Sequence, residues 1–265
     1  MRVEQRNNVR VSGDPAGPVI LFAHGFGCDQ TMWRLIAPAF ERDHRVVLFD
    51  YVGHGGSDRT AYDRKRYGSL HGYAQDVLDI CAELSLRDVT FVGHSVSSMI
   101  GVLAAIREPA RFQRLVLVAP SPSYIDDGDY RGGFSRPDID GLLETLDSNY
   151  LGWAAAMAPV IMANPERPEL ARELENSFCR TDPDIARLFA HVTFRSDHRE
   201  DLPKTPVPAL IIQVTRDAIA PVTVGEYMHR HMPGSTLTLV DTFGHCPHLS
   251  APQPTLAAIQ AFLAA

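Results

Sequence analysis

The sequence predicts an α/β fold, a mostly parallel central sheet with helices on both faces, and three observations carry that reading. Short runs dense in Val, Ile and Leu recur along the 265 residues at 18–23, 45–50, 88–93, 114–119, 208–214 and 236–240. Stretches able to form helices lie between them, at about 31–41, 69–85, 96–107, 221–232 and 252–264. The alternation breaks once, between 121 and 202, where no central strand is legible.

A strand near 2–11 is expected to add to one sheet edge. The runs PVILFA, RVVLFD, DVTFVG, RLVLVA and PALIIQV show little polar alternation, which suits strands buried on both faces. In the interruption, 138–162, 168–179 and 183–194 read as helices, with Pro and Asp marking their starts. The chain thus divides into a core of 1–120 and 203–265 and a helical insertion of 121–202. An insertion at the carboxyl edge of a parallel sheet can roof over a site there.

Apolar residues make up 45% of the chain, enough for a large core, and the net charge of −7 is scattered in both signs. No Lys/Arg run or basic stripe is present, which argues against a nucleic-acid partner. The N-terminus lacks the pattern of a secretory signal, and no apolar stretch is long enough to cross a bilayer, so no membrane role is expected. Cys28, Cys81, Cys179 and Cys246 are far apart and form no CxxC pair. That spacing disfavours a disulfide framework or a zinc cage and makes a reducing cytoplasm the expected compartment.

The strongest local signal is FVGHSVSS at 91–98, where a strand runs into Gly93-His94-Ser95-Val96-Ser97 and a helical stretch follows at once. A sharp strand-to-helix turn of this kind exposes one nucleophilic serine at the sheet edge. The small flanking residues let strand and helix backbones approach. The usual pattern is G-x-S-x-G, and Ser97 departs from it while remaining small. A serine in this place can also be a helix cap. At a helix N-terminus, Ser95 has the positive end of the helix dipole near a developing oxyanion.

A serine hydroxyl needs a neighbouring base. Where such an elbow occurs, the chain order is Ser, then acid, then His on a late loop. His245, in LVDTFGHCPHLS, fits that place, with Gly244 permitting a loop that aims the ring inward. His248 is the rival and reads as a loop hydrogen-bonding residue; the two histidines lack a third metal ligand. Asp217 follows PALIIQV and is the expected acid, holding the imidazole tautomer. It can also be a turn aspartate capping the helix after Pro221. Asp241 is only four residues before His245, and Asp197 and Asp201 follow no core strand.

Two backbone donors are expected for the oxyanion: the N–H of Val96 and that of Phe26, in the early loop AHGFGCD. Gly25 and Gly27 form a lone G-x-G, weak evidence for a phosphate cradle, with no Walker lysine following. His24 is expected to fix this loop by hydrogen bonding. DYVGHGGSD at 50–58 reads as a structural turn.

Taken together, AHGFGCDQTMW, FDYVGHGGSD, GYAQDVLDIC, FVGHSVSSMIG, FRSDHREDL, RDAIAP and GHCPHLSAP resemble the RsbQ-like branch of the α/β-hydrolases, over nearly the whole chain. That branch is similar to the plant karrikin and strigolactone receptor hydrolases. The resemblance implies an α/β-hydrolase core under a V-shaped lid of four helices, with Ser95, Asp217 and His245 as the triad. It also implies a hydrophobic pocket lined by Phe26, Phe134, Leu142, Trp153 and Phe194, with Tyr124 and Phe189 as further candidates. Aromatics in a helical insertion can equally be its core.

An apolar pocket favours small apolar esters or lactones over charged substrates. The expected activity is therefore carboxylic-ester hydrolysis through an acyl-enzyme, with no metal or organic cofactor. The resemblance also implies a signalling role, in which a small ligand is sensed and relayed to a protein partner such as a PAS-domain phosphatase. Carbon–carbon bond hydrolysis or cofactor-free oxygenation on the same fold stays open. A haloalkane dehalogenase is disfavoured, because residue 95 is Ser and not Asp.

Overall fold

The computed structural model describes residues 2–265. Seven strands, β1 (Arg10–Gly13), β2 (Val19–Ala23), β3 (Arg45–Leu48), β4 (Val89–His94), β5 (Phe112–Val118), β6 (Ala209–Arg216) and β7 (Ser235–Phe243), form one open sheet in the order β1-β3-β2-β4-β5-β6-β7. All neighbours are parallel except β1, which runs antiparallel to β3 at the edge.

Successive residues of each strand point to opposite faces. Leu21, Val47, Phe91, Leu117 and Ile211 pack with α2 (Leu70–Glu83), α3 (Val96–Arg107) and α8 (Val222–His231). Ile20, Phe22, Val46, Val92, Val116 and Ile212 pack with Trp33, Ile36 and Phe40 and with Ile259 of α10 (Pro252–Ala264). Both faces are covered, which is why the strand runs lack polar alternation.

Between β5 and β6 stand the four helices of the insertion: α4 (Arg136–Ser148), α5 (Tyr150–Met162), α6 (Pro168–Arg180) and α7 (Pro183–Phe194). Their apolar faces form a third cluster with Cys28, Met32, Ile219 and Cys246 from core loops. Two short helices, α1 (Val3–Arg6) and α9 (Pro247–Ser250), complete the chain.

Three elements differ from expectation. Residues 3–6 are a helical turn, and only Arg10–Gly13 pairs as a strand. The buried Asn7 between them donates to the Asp50 carbonyl at 3.0 Å and the Asp76 carboxylate at 3.2 Å, which bends the chain. The 31–41 stretch is two 3-10 turns, Gln30–Trp33 and Ala37–Phe40. Pro38 lacks the N–H that a continuous helix would return to residue 34. The 138–162 stretch is two helices, parted at Asn149, whose non-helical backbone (φ −149°, ψ 81°) ends α4 and whose side chain accepts the Gly152 N–H at 3.0 Å to start α5.

Candidate active site

β4 ends at His94 and α3 begins at Val96, so Ser95 forms the whole turn. Its backbone is held at φ +57° and ψ −125°, a region that L-residues rarely occupy. A Cβ on Gly93 would lie 2.6 Å from the Ser97 carbonyl oxygen, which accounts for the glycine two residues before the turn. Ser97, two residues after it, is buried, and its hydroxyl donates to the His24 carbonyl and lies 3.0 Å from the Tyr51 hydroxyl. The departure from G-x-S-x-G therefore ties α3 to the loop that follows β2.

Asp217 follows β6 and His245 follows β7, so both reach the carboxyl edge where Ser95 stands. The Ser95 hydroxyl donates to His245 Nε2 at 2.7 Å, and His245 Nδ1–H donates to Asp217 Oδ2 at 2.7 Å. The Asp217 carboxylate is 0% exposed and the His245 side chain 6%. Asp217 Oδ1 accepts the Ile219 N–H at 2.8 Å, so the residue is a turn aspartate as well as a partner of the imidazole. The backbone N–H of His245 donates to the Ile161 carbonyl at 2.8 Å. Gly244 allows this, since its φ is +85° and a Cβ there would meet the Met162 carbonyl oxygen at 2.0 Å.

The rivals lie elsewhere. Asp241 is exposed and pairs with Arg216 at 2.7 Å. Asp197 binds Arg199, and Asp201 binds Lys204 and His198. His24 holds its own loop, as expected: Nδ1–H donates to the Gly25 carbonyl at 2.9 Å and Nε2 accepts the Tyr51 N–H at 3.2 Å. His248 makes no loop hydrogen bond, a correction to the sequence reading. It is fully buried with both ring nitrogens unpaired among the described residues, packed between Trp33 at 4.7 Å and His94 at 4.4 Å. Residues 50–58 form a turn around Asp50, which accepts the amides of Gln30 at 2.8 Å and Gly56 at 2.9 Å.

The amides of Phe26 and Val96 donate to no protein acceptor among the described residues. Both residues flank the Ser95 turn, one on the loop that Ser97 tethers and one as the first residue of α3. A cavity opens there between core and insertion. Its walls include Phe26, Leu142, Trp153 and Phe194, with Ser95 and His245 at one side, and hold no Asp, Glu, Lys or Arg. Tyr124 is also a wall residue. Phe134 is not: its backbone pairs with Tyr124 and Asp126, and its ring packs half-buried on the insertion cluster. Phe189 is not either, since it lies behind Phe26, with ring centres 5.6 Å apart.

Several wall residues escaped the sequence reading. Cys28, Met157, Ile161, Leu174, Phe178, Thr193, Ile219 and Cys246 carry no motif that separates a cavity wall from ordinary core. His94 is a supporting residue of another kind: its Nε2–H donates to the His245 carbonyl at 2.9 Å. Burial, with His248 and His245 alongside, holds the His94 imidazole well below its ordinary pKa. Burial pushes the Tyr124 phenol up to about 12, opposed by the Ser95 hydroxyl beside it. The Cys28 and Cys246 thiols are raised by burial too, so they sit in the wall as neutral, apolar groups.

A polar clasp fixes the insertion to the His245 loop. The Asn164 amide donates to the carbonyls of Met162 at 2.5 Å and Phe243 at 3.2 Å. Arg167 donates to Asn164 Oδ1 at 2.9 Å and to the Ser250 carbonyl at 2.7 Å.

Residues 20–258 match the model of the alpha/beta hydrolase family. The chain is 41% identical over 251 residues to a probable esterase of Oryza sativa subsp. japonica, covering 94% of this chain and 93% of that one. It is 40% identical over 251 residues to a karrikin insensitive 2 receptor of Petunia hybrida, with the same coverage of 94% and 93%. Among solved structures, a hydrolase from Oleispira antarctica superposes with a TM-score of 0.96 at 42% identity, covering 99% of this chain and 96% of that one.

Proposed function

The chain belongs to the alpha/beta hydrolase family, and from that premise we propose that it is a serine hydrolase of small apolar esters or lactones. One observation carries the reading: an unbroken relay from Ser95 Oγ through His245 to Asp217, with both links at 2.7 Å, at the carboxyl edge of the sheet. Ser95 Oγ attacks the carbonyl carbon as its proton passes to His245 Nε2. Asp217 keeps the proton on Nδ1 and stabilises the imidazolium. The amides of Phe26 and Val96 receive the oxyanion. Collapse expels the alcohol, which takes the proton from Nε2 and leaves an acyl-Ser95. Water, deprotonated by the same imidazole, releases the acid.

The uncharged, aromatic walls support an apolar substrate, for which Phe26, Leu142, Trp153 and Phe194 supply the contact surface. Under this reading α4 to α7 act as a lid. The test is hydrolysis of para-nitrophenyl butyrate, together with intact mass after exposure to a fluorophosphonate. We expect one adduct, on Ser95, and loss of turnover in Ser95→Ala. Turnover that persists in Ser95→Ala would overturn the assignment.

A second reading is favoured by the 40% identity to a protein named as a receptor. In it the same site senses a small ligand and the chain relays the signal to a protein partner, a PAS-domain phosphatase being the partner class that the RsbQ-like resemblance suggests. Slow turnover with ligand-dependent capture of such a partner would favour this role. Fast turnover with no partner recovered would favour the plain enzyme. Four unpaired cysteines, and no described helix long and apolar enough to cross a membrane, support a cytoplasmic setting for either.

A further inference from the structure

The polar groups on the cavity wall divide into two sets. Those from the core are engaged in the relay or stand beside it: Ser95 and His245 bind each other, and His94 binds the His245 carbonyl. Those from the insertion are Tyr124, whose phenol stands beside the Ser95 hydroxyl, Thr193 of α7 and Trp153 of α5. Thr193 is 0% exposed, and its hydroxyl has no hydrogen-bond partner among the described residues. That is unusual for its position. A threonine inside a helix ordinarily returns its hydroxyl to a carbonyl one turn earlier, and near the end of α7 this one does not, while its neighbour Ser196 makes such a bond to the Thr193 carbonyl at 2.8 Å. The indole N–H of Trp153 is likewise buried and unpaired.

A hydroxyl left unpaired in an apolar wall is costly unless something entering the cavity satisfies it. We infer that Thr193 is a specificity-determining residue, whose hydroxyl binds a second, uncharged acceptor oxygen of the substrate on the insertion side of the cavity. The substrate class is then an ester or lactone carrying a ketone or ether oxygen apart from its scissile carbonyl. A carboxylate is excluded as the second group, because no cationic side chain lines the wall to balance it. The indole N–H of Trp153 can only donate, so an oxygen that met both side chains would accept from each. The inference rests on the hydrolase reading for the position of the scissile carbonyl and deepens it by naming the substrate class.

Binding is measured in Ser95→Ala, where turnover does not intervene, by quenching of indole fluorescence with methyl hexanoate and with its keto analogues bearing the ketone on the third, fourth or fifth carbon. At least one keto ester is expected to bind about three- to tenfold tighter than methyl hexanoate, the range of one neutral hydrogen bond. Adding Thr193→Val should bring that ratio to about one or below, and Thr193→Ser should restore it. Equal ratios with Thr and Val at 193, or no keto preference at any position, would overturn the proposal. Thermal melting supplies an independent arm: Thr193→Val should melt no lower than the parent, since the hydroxyl has no partner to lose, and a fall of several degrees would show that it serves the fold instead. Failure of Ser95-dependent turnover in the wild type, with the binding ratio intact, would sink the hydrolase reading and leave Thr193 standing.

Discussion

The Ser97 hydroxyl donates to the carbonyl of His24, joining the first turn of α3 to the loop that carries Phe26. One side chain thus fixes the spacing between the two backbone donors proposed for the oxyanion. Ser97→Ala would leave that carbonyl buried without its donor and deprive the Tyr51 hydroxyl of its contact at 3.0 Å. We expect a loss of about 1–3 kcal/mol in unfolding free energy, read by urea denaturation.

Asp217→Asn keeps the shape of the relay and removes its charge. The amide can present its NH2 to Nδ1, which favours the wrong imidazole tautomer. A fall in kcat of about ten-thousandfold is expected, with circular dichroism unchanged. A loss below tenfold would mean that the carboxylate is only the cap of the Ile219 turn.

Arg167→Ala opens the clasp between insertion and base loop. Arg167 touches neither Ser95 nor His245, yet it holds Asn164, which holds the Phe243 carbonyl two residues before the base. Small displacements of a base are expensive, so kcat should fall by about ten- to a hundredfold while the protein stays folded. Steady-state kinetics beside a melting curve separate this from a loss of fold.

Stability should decline in mild acid. Burial holds the His54 and His248 imidazoles at a pKa of about 3, and that of His94 well below its ordinary value. The unfolded chain binds a proton at each of these near pH 6.5, and the folded chain does not. The stabilisation is complete above that pH and is lost as pH falls from there toward the folded values, at about 1.4 kcal/mol per pH unit per histidine. Denaturation midpoints taken from pH 7.5 to about pH 5 should show this decline, and His248→Leu should make it shallower.

The sheet was readable because strands covered on both faces must be apolar at every position, as in Ile20-Leu21-Phe22. The relay was readable because its members follow strand ends in a fixed order. Local breaks were harder. Pro38 and Asn149 each divide a stretch that is helical in composition, one by lacking a donor and one by capping the next helix. The cavity wall was least legible. Phe134 and Phe194 have the same side chain on the same insertion, yet the first pairs its backbone with Tyr124 and Asp126 and lies outside the cavity wall. His248 misled for a related reason: a histidine in a polar loop suggests hydrogen bonds, and only the fold reveals the Trp33 ring against it.

The positive φ of Ser95 has a consequence for durability. In the middle of a helix or strand, exchanging alanine for glycine loosens a protein by about 0.5–1 kcal/mol. Here the methyl group of alanine would inherit the steric conflict that serine already bears, and glycine would not. Of two inert chains differing by a single carbon, the one with glycine at 95 should survive heating longer, so the resting fold gives up some robustness to hold a reactive oxygen in place.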